Sequence, residues 1–286
     1  APQLARRQGP NRIWSASRLE TYQTCAFLFF LQYILGLEPR PEPAEGLDAR
    51  QLGSLYHEIL EKAVQAGTGD MSDAAQVLAL VTAVAAPILD AAPREQGFRA
   101  TPWWLQTRSE IIQHVAGSLV ALAAGDYDFL RAEASFGIGS KPLTIAGEGD
   151  RLRLRGFIDR VDRQAGGRIR IIDYKLGGPY SYNARAFAEG KRLQLPLYAL
   201  AAEETLRLGT VADGFYWHVR HEEASPFKLV KAEGGVSGAI ETAVAFAWDV
   251  VHNVRQGQFK AEPPDQGCPA YCPAASFCWQ YTPGAW

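Results

Sequence analysis

A block of period-two alternation set between helical blocks limits what this chain can fold into. From Arg131 to Leu176 apolar and polar residues alternate, with Gly137, Gly139, Gly147, Gly149 and the pair Gly166-Gly167 between the runs. That is the pattern of strands joined by turns, here an antiparallel meander. Upstream the period is helical. Ser17-Arg18-Leu19-Glu20 reads as a capping box, and Leu19, Tyr22, Ala26, Phe30, Tyr33, Ile34 and Leu37 predict a helix over 18–35. A linker over 38–45 holds three prolines, and Leu52, Leu55, Tyr56, Ile59, Leu60 and Ala63 predict a second helix over 51–64. Segments 72–93 and 103–124, rich in Ala and Leu, predict scaffold helices. After the strands come a helix over 184–208, a hairpin over 215–230 and an amphipathic helix over 236–256. The tail from Gln258 is rich in Pro, Gly and Cys and has no period. The expected fold class is α/β.

With 286 residues, 47% of them hydrophobic, the chain has ample material for a core. A formal charge of -2 excludes a uniformly basic coat, so any nucleic-acid contact must come from local patches. The longest apolar run, Ala26 to Leu31, is far shorter than the roughly 20 residues a membrane span needs, so no membrane partner is expected. The first ten residues carry charge and two prolines where a signal peptide would carry an apolar core, which points to the cytoplasm. Four cysteines in so long a chain suit ligands or free thiols better than a disulfide framework.

On the run Arg168-Ile169-Arg170-Ile171-Ile172-Asp173-Tyr174-Lys175, alternation puts Asp173 and Lys175 on one face and Tyr174 on the other. One strand earlier, Gly156-Phe157-Ile158-Asp159-Arg160 carries a second carboxylate, and hairpin pairing would bring Asp159 beside Asp173. Two carboxylates so close repel, and a hard cation such as Mg²⁺ or Mn²⁺ is the usual relief. Taken alone, Asp-x-Lys on a strand is usually a surface salt bridge. Asp162, three residues beyond Asp159, is expected to pair with a nearby arginine.

The arrangement Asp159-x(13)-Asp173-x-Lys175 resembles the PD-(D/E)xK nuclease signature, and the flanking residues narrow the likeness to RecB and AddB nuclease domains and the four-cysteine nucleases of CRISPR spacer acquisition. The resemblance implies a restriction-endonuclease-like core, a mixed central sheet flanked by helices. It implies a single nuclease domain over 1–286, with a helical insertion over 65–130 and an iron–sulfur-stapled tail over 258–286. Gly53-Ser54-Leu55-Tyr56-His57 looks like the helix with a metal-binding histidine, which makes His57 a ligand beside Asp159 and Asp173. Lys175 then orients or deprotonates water. Gln194-x-x-x-Tyr198 looks like the family's Gln-x-x-x-Tyr motif, whose side chains lie by the active site, and Glu133 stands where the family commonly has an acidic residue.

Cys268-x(3)-Cys272-x(5)-Cys278 lies in the aperiodic tail, and Cys25, the remaining cysteine, is on the first predicted helix. This resembles the 4Fe-4S staple of AddB-type nucleases, which fastens the tail to the N-terminal helix. Four thiolates also satisfy a tetrahedral zinc, so spacing leaves both metals open.

The implied function is a metal-dependent DNA nuclease, an exonuclease acting on single-stranded ends in recombination or repair. The alternative is a non-catalytic DNA-binding or scaffold module of a helicase–nuclease complex. The sequence holds no Walker-type loop, so a helicase motor would be a separate partner. Arg151, Arg153, Arg155, Arg160, Arg163, Lys191 and Arg192 suit either a phosphate groove or a solvated face.

Overall fold

A computed structural model describes residues 2–38, 46–67, 71–147 and 149–284. Most of the linker predicted over 38–45 lies outside the described residues. The chain opens with helix α1 (Pro2–Arg7), strand β1 (Ile13–Ser15) and helix α2 (Ala16–Thr24). Helix α3 (Ala26–Phe29) runs on as a π-helical turn over Phe30–Ile34. Three long helices follow, α4 (Ala49–Ala66), α5 (Ala74–Glu95) and α6 (Pro102–Ala123). Then come β2 (Tyr127–Phe136), β3 (Leu143–Gly147), β4 (Asp150–Gln164) and β5 (Arg168–Lys175). Helices α7 (Ala184–Ala188) and α8 (Gln194–Leu200) lead to β6 (Thr210–His218), β7 (Glu223–Lys228) and α9 (Gly235–Gln256).

Two predicted helices are broken. The one over 18–35 is interrupted at Cys25, whose backbone is extended (φ -163, ψ 118), and the one over 184–208 stops at Glu189 and restarts at Gln194. Ser17 and Glu20 do not form a capping box. Glu20 is drawn off instead to accept from the backbone N–H groups of Leu193 and Gln194, at 2.7 and 3.0 Å. The capping box lies at Asp48 and Gln51, at the start of α4.

The strands form one sheet in the order β1-β4-β5-β6-β7, with β2 and β3 also paired to β4. This corrects the meander, because β2 and β3 are both neighbours of β4. At 15 residues β4 is long enough to pair with β1 and β3 along its first half and with β2 and β5 along its second. β5 and β6 are parallel, a pairing that needs a crossover connection, here α7 and α8. Lys175 and His218 are register partners across that pair.

Alternate residues of β5 face different cores, Ile169 and Ile171 toward one and Ile172 and Tyr174 toward the other. Helices α2, α8 and α9 cover the first face, and α4, α5 and α6 cover the second. By length and composition α5 is apolar enough to cross a membrane. One face of it, with Val77, Val81, Ala85, Leu89 and Ala92, packs against α4 and α6, while only 22% of its apolar window is buried.

Asp162 is fully buried on β4 between two arginines, with Arg160 Nε at 2.6 Å and Arg170 Nη2 at 2.8 Å. Arg170 also donates to the Leu122 carbonyl at 2.7 Å, which ties the end of α6 to the sheet. Breaking such a set by removing one charge leaves the others buried and unpaired. Asp162→Asn is therefore expected to cost about 3–5 kcal/mol in urea unfolding. A cost under about 1 kcal/mol would mean that the triad is solvated.

Candidate active site

Helix α4 and strands β2 and β4 meet at an open cleft of about 680 Å³. His57, Glu133 and Asp159 line it, and ligating atoms of the three lie within 4.8 Å of one another, a grouping unique among the described residues. His57 Nδ1 is 3.5 Å from Asp159 Oδ2, which also accepts from the Tyr174 backbone N–H at 2.8 Å. The local backbone is unusual. On β2, Ala132 packs toward the second core and Ala134 toward the first, although residues two apart on a regular strand share a face. Between them Glu133 has φ 45, a left-handed value rare outside glycine, so the face switch is made at the site.

Asp173 is buried and engaged elsewhere. It is ion-paired to Lys175 and accepts from the Gln194 side-chain amide, and Lys175 Nζ donates to Gln194 Oε1 at 3.3 Å. Gln194 thus bridges the acid and the lysine, and Glu20 holds the helix turn that carries it. Tyr198 lines the same cleft and packs on Gly156, where a Cβ would come 2.7 Å from its ring. Glycine at 156 is what lets the phenol approach β4.

The electrostatics favour a cation. Burial, then the charge of Asp173, raises Asp159 well above the ordinary carboxylate range. Burial, with Glu61 and Asp173, pushes Glu133 up to about 7. Burial lowers His57 and outweighs the pull of Asp173, so the imidazole is neutral and free to coordinate. Burial works against the Lys175 ammonium, but Asp173, Tyr182 and Asp159 overcome it and keep the group charged. A cleft of carboxylates that resist ionisation beside a neutral imidazole is an oxygen-rich donor set that suits Mg²⁺ or Mn²⁺.

The structure therefore brings His57 and Asp159 together and sets Asp173, Lys175, Gln194 and Tyr198 around them, with Asp173 outside the close trio. Glu133 is the residue sequence reasoning undervalued. Its signals are an acid within a strand pattern and a position where the family commonly has an acidic residue, and its φ value cannot be read from composition. Of the basic residues, Arg155 lines the cleft, Arg160 is buried against Asp162, and Lys191 pairs with Glu189 at 2.7 Å.

Cys25, Cys268, Cys272 and Cys278 line one pocket between the α2–α3 break and the tail, and none forms a disulfide. Burial pushes the Cys272 thiol up, and the other three cysteines add to the shift. The tail is held otherwise by few contacts. Phe259 packs against Phe29 and Phe30 with ring centroids 6.3 and 4.9 Å apart, and Cys268 N–H donates to the Thr282 carbonyl at 2.6 Å.

The pattern that defines the PD-(D/E)XK nuclease superfamily matches residues 13–279. The chain is 34% identical over 222 residues to one of the subunits of the ATP-dependent helicase/deoxyribonuclease of Moorella thermoacetica, a match covering 70% of this chain and 18% of that protein. The protein of the same name from Leuconostoc mesenteroides is 30% identical over 217 residues, covering 70% and 18%. That from Streptococcus pneumoniae is 27% identical over 237 residues, covering 80% and 20%. The chain spans about a fifth of the length of these relatives.

Proposed function

Because the chain belongs to the PD-(D/E)XK nuclease superfamily, we propose that it is a Mg²⁺- or Mn²⁺-dependent deoxyribonuclease, an exonuclease that hydrolyses single-stranded DNA ends in recombination or repair. The observation that carries this is a neutral imidazole and a group of ion-resisting carboxylates in one open cleft with a charged lysine beside them. His57, Asp159 and Asp173 hold the ion in this proposal, and Glu133 stands beside them as a fourth donor. When bound, a divalent cation offsets phosphate charge and acidifies an attacking water. Lys175 stays protonated, so it orients that water and faces the phosphate with a fixed positive charge. Gln194 keeps Asp173 and Lys175 in register, and Tyr198, held as a neutral phenol by burial and the nearby acids, donates to substrate oxygen.

Cys25, Cys268, Cys272 and Cys278 are assigned to a structural 4Fe-4S cluster. Four thiolates in one pocket would also suit a tetrahedral zinc; iron is chosen on the resemblance of the cysteine spacing to the AddB-type staple. The chain is read as one nuclease domain with 65–130 inserted and 258–286 as the stapled tail, working in the cytoplasm; the helicase in the names of its relatives suggests a helicase beside it.

End-labelled single strands test the assignment. Cleavage is expected with Mg²⁺ or Mn²⁺ and none in EDTA, and saturating Mn²⁺ should raise the melting temperature by roughly 5 °C or more. Cleavage that persists in EDTA would overturn the metal assignment, and absence of cleavage with either ion would overturn the nuclease.

A further inference from the structure

One face of β4 reads Arg151, Arg153, Arg155, Phe157, Asp159 at alternate positions, while Leu152, Leu154 and Ile158 between them are buried in the core. The residues opposite the arginines are short. Arg151 pairs with Ala146, Arg153 with Thr144 on one side and Ile13 on the other, and Arg155 with Ser15, so short side chains flank Arg151 and Arg155 and one side of Arg153. Arg151 and Arg153 line a depression of about 320 Å³ with Lys141 and Thr144. Arg155 and Phe157 line the neighbouring cleft together with Asp159, and Phe157 is 42% exposed. The two hollows thus follow one another along a single strand.

The charge on this face is only weakly countered. Among the described residues no carboxylate forms an ion pair with Lys141, Arg151, Arg153 or Arg155; Asp150 pairs with Arg255 and feels Arg151 more weakly, and the Arg151 guanidinium donates to the Asn11 side chain at 3.0 Å. Arg12 and Arg18 add to the excess. Arg12 Nε is buried without a hydrogen-bond partner, and Arg18 lies near both Arg12 and Arg155. Alternate strand residues stand about 7 Å apart, a step that an extended single strand can match phosphate for phosphate.

We propose that this face is the track for an extended DNA single strand, with phosphates on Arg151, Arg153 and Arg155 and a base stacked on Phe157, so that the next phosphodiester reaches Asp159. The track rests on the nuclease assignment only for its end point. A duplex fits it poorly, since a stacked aromatic needs an unpaired base.

Binding in EDTA, followed by fluorescence anisotropy of labelled oligothymidylate, separates the two claims. Each phosphate contact on a single strand contributes about 0.7 to the slope of log K against log salt, so Arg151→Ala/Arg153→Ala should lower that slope by about 1.4. Phe157→Ala should weaken binding by about tenfold or more with the slope unchanged. Circular dichroism melts at the wild-type temperature establish that the variants fold. An unchanged slope and affinity in the double variant, or a blunt duplex that competes as well as the single strand, would overturn the track. A wild-type chain that binds with this salt dependence but cleaves with neither Mg²⁺ nor Mn²⁺ would leave the track standing and sink the nuclease.

Discussion

Asp159→Asn is expected to slow single-strand cleavage by about three orders of magnitude or more, since a ligating carboxylate and the several kcal/mol its ion supplies are lost together. The same change is expected to raise the melting temperature of the metal-free protein. Asparagine can still accept from the Tyr174 N–H through its side-chain oxygen, so the local hydrogen bond survives. What disappears is a buried negative charge held against Asp173 and Glu133. The pH dependence carries the same sign. Glu133 is raised from 4.5 to about 7 in the folded chain, so the folded state binds more protons than the unfolded one across that interval. The contribution of Glu133 to metal-free stability is then fully present below about pH 4.5 and is lost as pH rises through about 7. Melting temperatures taken from about pH 5 to about pH 8 should show a shallower fall in Asp159→Asn than in the wild type. A variant that cleaves normally, or one that melts well below the wild type at neutral pH, would refute the role given to Asp159.

Asp162, three residues along the same strand, shows why the two acids could be told apart only in part from sequence. Both sit in β4 beside arginines in the chain. Asp162 has two guanidinium partners and is expected to be destabilising when neutralised, whereas Asp159 has none and is expected to be stabilising. The hairpin between β4 and β5 was legible because alternation and the Gly166-Gly167 turn fix its register, and that register places Asp159 near Asp173. Less legible were features that tertiary contacts decide. Glu20 gave a capping-box pattern, yet its carboxylate caps α8, 173 residues later. Cys25 lies within a helical period, yet its backbone is extended so that its sulfur faces the tail. Glu133 takes a left-handed φ that no local pattern announces. Each of these departures serves the cleft or the cysteine pocket, where local preference gives way to the needs of a site.

The cysteine pocket carries the second large effect. Cys272→Ala is expected to abolish the visible absorbance of iron–thiolate charge transfer in anaerobically purified protein and to release the tail beyond about residue 260, because a structural metal can contribute on the order of 10 kcal/mol to holding its ligands. Apart from the cysteines that segment has an exposed ion pair of Asp265 with Arg185 at 2.8 Å, a tilted contact of Trp279 with Phe27 at 6.4 Å and the buried Ala274. Its large apolar side chains point outward, with Trp279 78% exposed, and its backbone hydrogen bonds are mostly short-range turns. Residues up to Lys260 are secured differently, by Phe259 between Phe29 and Phe30 and by the Phe27 N–H donating to the Lys260 carbonyl at 3.2 Å. Limited proteolysis should therefore cut Cys272→Ala after this point and leave α9 intact. The loss should reach the cleft only weakly. Cys25 ends α2, and from α2 Glu20 braces the turn bearing Gln194, which in turn holds Asp173. Loosening one end of α2 strains that chain of contacts without removing a group from it, so metal-dependent cleavage should fall by less than in Asp159→Asn. A tail that stays protected, or absorbance that survives the substitution, would show that the four thiols do not share a cluster.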